Sequence, residues 1–256
     1  MRGVSTWSLH RTLGRYSAPD SAALGGLFMA TPPGENGLAL LDLPAELARR
    51  GYDALQICHF HLPSRSADYL AQLRAALETA GIELEALLID DGDLSDPGIA
   101  DQVEAWIGEW LDIAVALGAK RARVSAGRSA PTPERLRESG RRIVRLAESH
   151  PGVRVVIENW MGMLPDADAV LALLNETGDD IGLLIDLGNW SGPDKYDELA
   201  RIAPRAESCH AKCHFANGKL DADDFTRTLT VLKDAGYQGL LTLIYDGGTR
   251  HGACAT

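Results

Sequence analysis

Short runs of apolar, often β-branched residues recur along the chain, and each closes on polar residues. The most pronounced is Val153-Arg-Val-Val-Ile-Glu158-Asn159-Trp160, and the design returns at Ile181-Gly-Leu-Leu-Ile-Asp186-Leu-Gly-Asn189 and at Ala206-Glu-Ser-Cys-His210-Ala-Lys212. Between the runs, apolar positions recur at helical spacing, as at Tyr69, Leu70, Leu73, Ala76 and Leu77. In order, strands are expected over Gly3–Leu9, Asp53–His59, Ile82–Ile89, Lys120–Ser125, Val153–Ile157, Ile181–Asp186, Ala206–Lys212 and Gly239–Tyr245. Helices are expected over Leu41–Arg50, Ser66–Ala80, Pro97–Leu117, Pro133–Ser149, Pro165–Asn175, Asp194–Ile202 and Asp221–Ala235, with Thr132 and Asp221 as caps and Gly51, Gly81 and Gly118 as stops. No helix is expected after the last strand. A Gly-, Pro- and Ser-rich stretch from Arg11 to Gly37 is longer than a usual strand-to-helix connection and reads as a lid or a disordered loop.

Strands that are apolar on both faces and alternate with helices build parallel sheets covered by helices. Eight of them close a (β/α)8 barrel, which 256 residues accommodate as one domain spanning 1–256. An open doubly wound sheet is the competitor. No Gly-rich phosphate loop follows the first strand, and polar residues end nearly every strand, whereas in an open sheet only those at the switch point meet.

In a closed barrel the C-terminal strand ends converge on one mouth, which carries the chemistry. Glu158, Asp186 and His210 then share a site, with Asn159, Asn189, Lys212 and Asp246 beside it. Two carboxylates and an imidazole suit a divalent ion such as Mn, Mg, Co or Zn, and a second carboxylate in a cleft needs a cation or a proton. Trp7 and Trp160 are candidates for an apolar platform under a sugar ring. His59 and His61 are candidates to line the mouth, and Arg123, Arg128 and Arg250 are candidates for a phosphate. Asp90, Asp91 and Asp93 lack calcium-loop spacing and read as a solvated loop.

A net charge of −11 opposes nucleic acid, whose binding rests on Lys and Arg, and anionic membrane surfaces. No apolar run approaches the roughly 20 residues that span a bilayer. The start of the chain lacks an apolar signal region, so a cytoplasmic location is expected. Cys58, Cys209, Cys213 and Cys254 are too few for a disulfide framework and read as reduced thiols. Cys209-His-Ala-Lys-Cys213-His214 has three residues between its cysteines where a haem-attachment motif has two.

Six stretches carry a resemblance over nearly the whole length: Gly3-Val-Ser-Thr-Trp-Ser-Leu9, Leu55-Gln-Ile-Cys-His59, Val156-Ile-Glu158-Asn159, Leu184-Ile-Asp186-Leu-Gly188-Asn189, Cys209-His210-Ala-Lys212 and Gly236-Tyr-Gln-Gly239. In their order and spacing the chain resembles the xylose isomerase-like TIM barrel superfamily, in its sugar phosphate isomerase and epimerase branch. The resemblance implies a metal held by Glu158, Asp186 and His210, and a small sugar, sugar phosphate or polyol-derived ketone isomerised or epimerised by proton transfer beside a chelated carbonyl. Glu158 is then ligand and base, Lys212 an electrostatic stabiliser, and Trp7, His59, Arg123, Asn159, Trp160 and Asn189 substrate contacts.

The chain departs from the family pattern at two places. Ile244 stands where the fourth ligand, a Glu, is expected, and Gln56 stands where an acid is common. Asp246, two residues on and therefore on the same side of its strand, is the substitute second acid. Three alternatives stay open: a non-catalytic sugar-binding barrel that lost the eighth-strand acid, a dehydratase or lyase, and an endonuclease IV-like phosphodiesterase. A homodimer that shields the flank left bare by the absent last helix is a further expectation.

Overall fold

The structure, a computed structural model, describes residues 2–16, 31–32, 37–216 and 219–245. Eight parallel strands close into a barrel: β1 (Arg2–Ser5), β2 (Ala54–Cys58), β3 (Glu83–Leu88), β4 (Arg121–Arg123), β5 (Arg154–Glu158), β6 (Gly182–Asp186), β7 (Ala206–Cys213) and β8 (Leu241–Tyr245). Each pairs with its sequence neighbours, and β8 pairs with β1 to complete the ring. The connecting helices are α1 (Leu43–Arg49), α2 (Ala67–Ala80), α3 (Ala100–Leu117), α4 (Pro133–Ser149), α5 (Ala167–Thr177), α6 (Lys195–Ile202) and α7 (Ala222–Asp234). The expected barrel is therefore present. The stretch after β8, where no helix is expected, and most of the Arg11–Gly37 loop lie outside the described residues.

Helix starts follow side chains that accept from otherwise orphaned backbone N–H groups. Ser66 accepts from Tyr69, Thr132 from Arg135, Asp166 from Ala169 and Asp221 from Asp224. The same local chemistry explains two departures from expectation. The first strand ends at Ser5 rather than Leu9 because the Ser5 hydroxyl accepts from Trp7 N–H and turns the chain into a 3-10 helix over Thr6–Leu9. α3 begins at Ala100 rather than Pro97 because Asp96 holds a turn, its carboxylate accepting from Gly98 N–H at 2.8 Å. A two-stranded hairpin, Phe215–Ala216 with Lys219–Leu220, lies between β7 and α7 and was not anticipated.

Side chains alternate between two apolar regions. Leu55, Ile57, Leu87, Val155, Ile157, Leu183 and Ile185 belong to the main core shared with the helices. Their neighbours Cys58, Ala86, Leu88, Val156 and Leu184 form a separate cluster with Phe60, against which Trp7 packs. By alternation this second cluster is the inside of the barrel. Below it, at the N-terminal end, the interior is charged. The β2–β3 pairing skips Glu85 and the β6–β7 pairing skips Glu207, two bulges that turn these carboxylates inward. Glu85 takes Arg121 at 3.0 Å, and Glu207 takes Arg154 at 2.6 Å. The Glu207 carboxylate lies 2.6 Å from where a Cβ on Gly182 would stand, so any side chain at 182 would have to push that carboxylate aside. With this end plugged, the C-terminal end is the one left for chemistry.

Candidate metal centre

Glu158, Asp186 and His210 sit at or near the C-terminal ends of three consecutive strands and point inward. One ligating atom from each lies within 4.8 Å of the others, and all three residues are buried. His210 Nδ1 is 3.5 Å from Glu158 Oε1 and 3.4 Å from Asp186 Oδ2. The opposite nitrogen, Nε2, is 2.7 Å from Gln56 Oε1, an oxygen that can only accept. Nε2 therefore carries a hydrogen, and Nδ1 is the nitrogen that faces both carboxylates.

Such a trio needs positive charge. Burial alone would lower the His210 pKa, yet the two carboxylates push it up to about 9. In the free protein a proton on Nδ1 serves the need that a divalent cation would serve in its place. The donor set of two carboxylate oxygens and one imidazole nitrogen fits an ion of intermediate hardness.

The ligands are themselves held. Gln56 donates its amide to Glu85, which in turn is anchored by Arg121, so His210 is fixed by a chain reaching the charged floor. Asp186 Oδ1 accepts from Gly188 N–H at 2.6 Å. Burial would raise its pKa, but Lys212, His210 and that N–H hold it below the usual carboxylate value. Glu158 Oε1 accepts from Asn189 Nδ2 at 2.7 Å, and Lys212 Nζ donates to Asn189 Oδ1 at 3.3 Å. The Lys212 stem lies against Gly188, where a Cβ would come within 2.8 Å of Cγ. Asn189 and Lys212 thus stand beside the trio, as expected.

Other expected residues have different tasks. Asn159 was expected to contact substrate. It is instead fully buried, its amide bracketing the Asp186 backbone with Nδ2 donating to the carbonyl at 3.0 Å and Oδ1 accepting from the N–H at 2.7 Å. Arg123, also expected at the substrate, is buried between Asp90 and Glu158 Oε2, the latter 3.0 Å from Nε, with its guanidinium 4.9 Å from the Trp160 ring. Its cation, already compensated by two carboxylates, orients Glu158. His59 was expected to line the mouth. It points outward, edge-on to Trp106 and Trp110 of α3 at 5.5 and 5.1 Å, with Asp91 3.3 Å from Nε2. His61 is buried on Thr6.

Asp90 and Asp91 are likewise not a solvated loop. Both are about 1% exposed, and they compensate His59 and Arg123. Burial raises the Asp90 pKa, but Arg123 and His59 outweigh it and hold the group below its ordinary value. Trp7 and Trp160 are half-buried, Trp7 6.1 Å from Phe60 in an edge contact. Asp246 and Arg250 lie outside the described residues. Ile244 points inward, since β8 pairs Thr242 with His210 and Ile244 with Lys212, and it is 4% exposed.

Sequence reasoning missed Glu85, Phe60 and the structural task of Asp90. A buried Glu paired with a buried Gln leaves no periodic signal. Two surface clefts, about 310 Å³ at Gly152–Val155 and about 380 Å³ between α4 and α5, hold none of the trio.

Solved structures with this architecture include a xylose isomerase-like TIM barrel protein from Mycobacterium smegmatis in complex with magnesium, at 14% identity and TM-score 0.67, covering 96% of this chain and 90% of that one. D-psicose 3-epimerase with D-tagatose from Clostridium cellulolyticum H10 matches at 14% identity and TM-score 0.66, over 94% and 83% of the two chains. The probable 3-DHS dehydratase of petrobactin synthesis from Bacillus anthracis matches at 13% and 0.67, over 97% and 94%. At these identities the likeness shows the fold alone, and the relatives include both sugar epimerases and a dehydratase. No curated protein sequence matches the chain significantly. The family model for the xylose isomerase-like TIM barrel matches residues 44–253, most of the sequence and every strand of the barrel after the first, and the chain belongs to that family.

Proposed function

We propose that the protein is a divalent-metal-dependent isomerase or epimerase that moves a proton next to the carbonyl of a small sugar, sugar phosphate or polyol-derived ketone. The observation that carries the reading is the buried Glu158–Asp186–His210 trio, with Nδ1 of His210 turned to both carboxylates. A bound divalent ion supplies Lewis-acid polarisation of a carbonyl and its neighbouring hydroxyl. The chain's own groups do the rest. Asp186 and His210 hold position, Glu158 is ligand and proton carrier, and Lys212 offers positive charge to a substrate oxygen that gains negative charge. Trp7, Trp160 and Asn189 border the substrate, and Asp246 is the candidate second acid.

The test is twofold. Purified protein titrated with Mn²⁺ is expected to bind one equivalent, and the loaded protein is expected to exchange substrate C–H for solvent deuterium in a panel of ketoses. Glu158→Gln should abolish exchange. A chain that binds Mn²⁺ no better than its Asp186→Asn variant sinks the proposal.

One observation favours a second reading. Ile244 holds the position expected for an acid, so a sugar-binding barrel without catalysis would bind ketose and exchange nothing. Among the described residues no helix is long and apolar enough to cross a membrane, and a cytoplasmic location belongs to the proposed reading. So does a homodimer: Leu243, Tyr245, Phe215 and Leu220 are exposed together beside β8, and sedimentation at micromolar concentration tests whether a second copy covers them.

A further inference from the structure

The trio fills the mouth from the end of β5 to β7, and a line of buried charges continues from it around the next three strand ends. Arg123 closes β4, Asp90 stands two residues past β3, and His59 follows β2 directly. With Glu158 they make an unbroken chain of contacts, and none of the four is more than 7% exposed.

Arg123 is gripped at three nitrogens. Nη2 donates to Asp90 Oδ1, Nη1 donates to the Ile89 carbonyl at 3.2 Å, and Nε lies 3.0 Å from Glu158 Oε2. A guanidinium is planar and rigid, so fixing both Nη atoms fixes where Nε points. Asp90 is fixed in turn. Its N–H donates to His59 Nδ1 at 3.2 Å, and the His59 ring is wedged edge-on by Trp106 and Trp110. The two oxygens of Glu158 are thereby committed separately. Oε2 is held by Arg123, while Oε1 accepts from Asn189 and lies 3.5 Å from His210 Nδ1.

We propose that Asp90 is a positioning residue for Glu158, acting through Arg123. The inference rests on the proposed metal reading and extends its machinery two strands beyond the ligands. Asp90 balances Glu158 across the guanidinium. Without that charge Arg123 is drawn onto Glu158, the carboxylate turns with it, and Oε1 leaves the point where the trio converges.

Mn²⁺ alone, added to the full chain, is the probe. Calorimetric titration gives its affinity, and the electron paramagnetic resonance spectrum of the bound ion reports its ligand arrangement. Asp90→Asn keeps the shape of the side chain, and it is expected to bind Mn²⁺ about tenfold more weakly and to broaden the spectrum. Arg123→Lys keeps the charge but loses the planar fork, and a loss of similar size is expected. In the Arg123→Lys background Asp90→Asn should cost no more than about twofold further, because its route to Glu158 is already cut. Circular dichroism verifies each fold. Native affinity and spectrum in Asp90→Asn overturn the inference, as do losses that multiply in the double variant, the mark of a charge acting directly on the ion. Should either single variant fail to fold, His59→Leu takes its place: it withdraws the acceptor for the Asp90 N–H, leaves every carboxylate charged, and should broaden the spectrum too. An unchanged spectrum in that variant overturns the inference equally. A native chain that binds no Mn²⁺ removes the metal reading itself, whereas a native chain that binds it beside variants that match it removes only the role of Asp90.

Discussion

Gln56 is uncharged and buried, and it decides which nitrogen of His210 faces the carboxylates. Replacing it with Leu removes the acceptor for Nε2–H and leaves the ring free to flip, so Mn²⁺ affinity should fall roughly 10- to 100-fold, the usual cost of losing such a supporting contact. Calorimetric titration of a folded Gln56→Leu variant checks this. His61 behaves oppositely to His210. Burial, with no partner for Nε2, lowers its pKa to about 3. Its folded value lies below its unfolded one, so between pH 6.5 and 3 the unfolded chain takes up a proton that the native chain refuses, and stability falls as pH falls. By pH 4.5 the loss is about 2 to 3 kcal/mol. Urea unfolding at pH 7 and pH 4.5 should show a smaller drop for His61→Gln than for the native chain. At this scale Glu158, Asp186 and His210 were legible because each closes an apolar run. The amide of Asn159, the guanidinium of Arg123 and the ring of His59 were not, because a polar residue at a strand end reads the same whether it faces a ligand or a neighbouring backbone.

Strand spacing fixed the barrel in advance, while element ends depended on single side chains such as Ser5 and Asp96. The bulges at Glu85 and Glu207 were invisible for a further reason: a register slip is a relation between two strands, and either strand alone reads as regular. Their consequence is energetic. Glu85 compensates Arg121 and accepts from Gln56, and it is about 2% exposed. Glu85→Ala leaves Arg121 only the more distant Glu207, at 3.8 Å, and the Gln56 amide only the Ser208 hydroxyl, at 3.4 Å, so a cost of about 3 kcal/mol is expected in urea unfolding. Because the floor also anchors Gln56, the same variant should bind Mn²⁺ more weakly than the native chain after its fold is verified. Gly188 joins β6 to the site. Gly188→Ala puts a methyl within 2.8 Å of the Lys212 stem, so Lys212 must shift. Turnover should fall while Mn²⁺ binding stays within a few-fold, because Asp186 keeps its backbone donor and Lys212 is no ligand.

For the whole molecule, the trio is a cluster of negative charge that three strands must bring together on closing the barrel. In the unfolded chain Glu158, Asp186 and His210 are far apart in sequence, so a divalent ion has no comparable site there. An ion that binds only the native state adds stability as its concentration exceeds its dissociation constant, about 2.7 kcal/mol at a hundredfold excess. For a chain of this size that amounts to a melting temperature higher by roughly 5 to 10 °C. The native protein with saturating Mn²⁺ is expected to melt that much above its EDTA-treated form. Asp186→Asn, which keeps the shape of the side chain but removes a ligand charge, should show little of the shift. Arg142→Ala provides the control, since this residue ties α3 to α4 on the outside of the barrel through Asp101 and Glu104. Its removal should lower both melting temperatures alike and leave the difference between them intact. A native chain whose melting temperature ignores Mn²⁺, while Arg142→Ala still lowers it, would place the trio among structural charge clusters and leave the proposed chemistry without its centre.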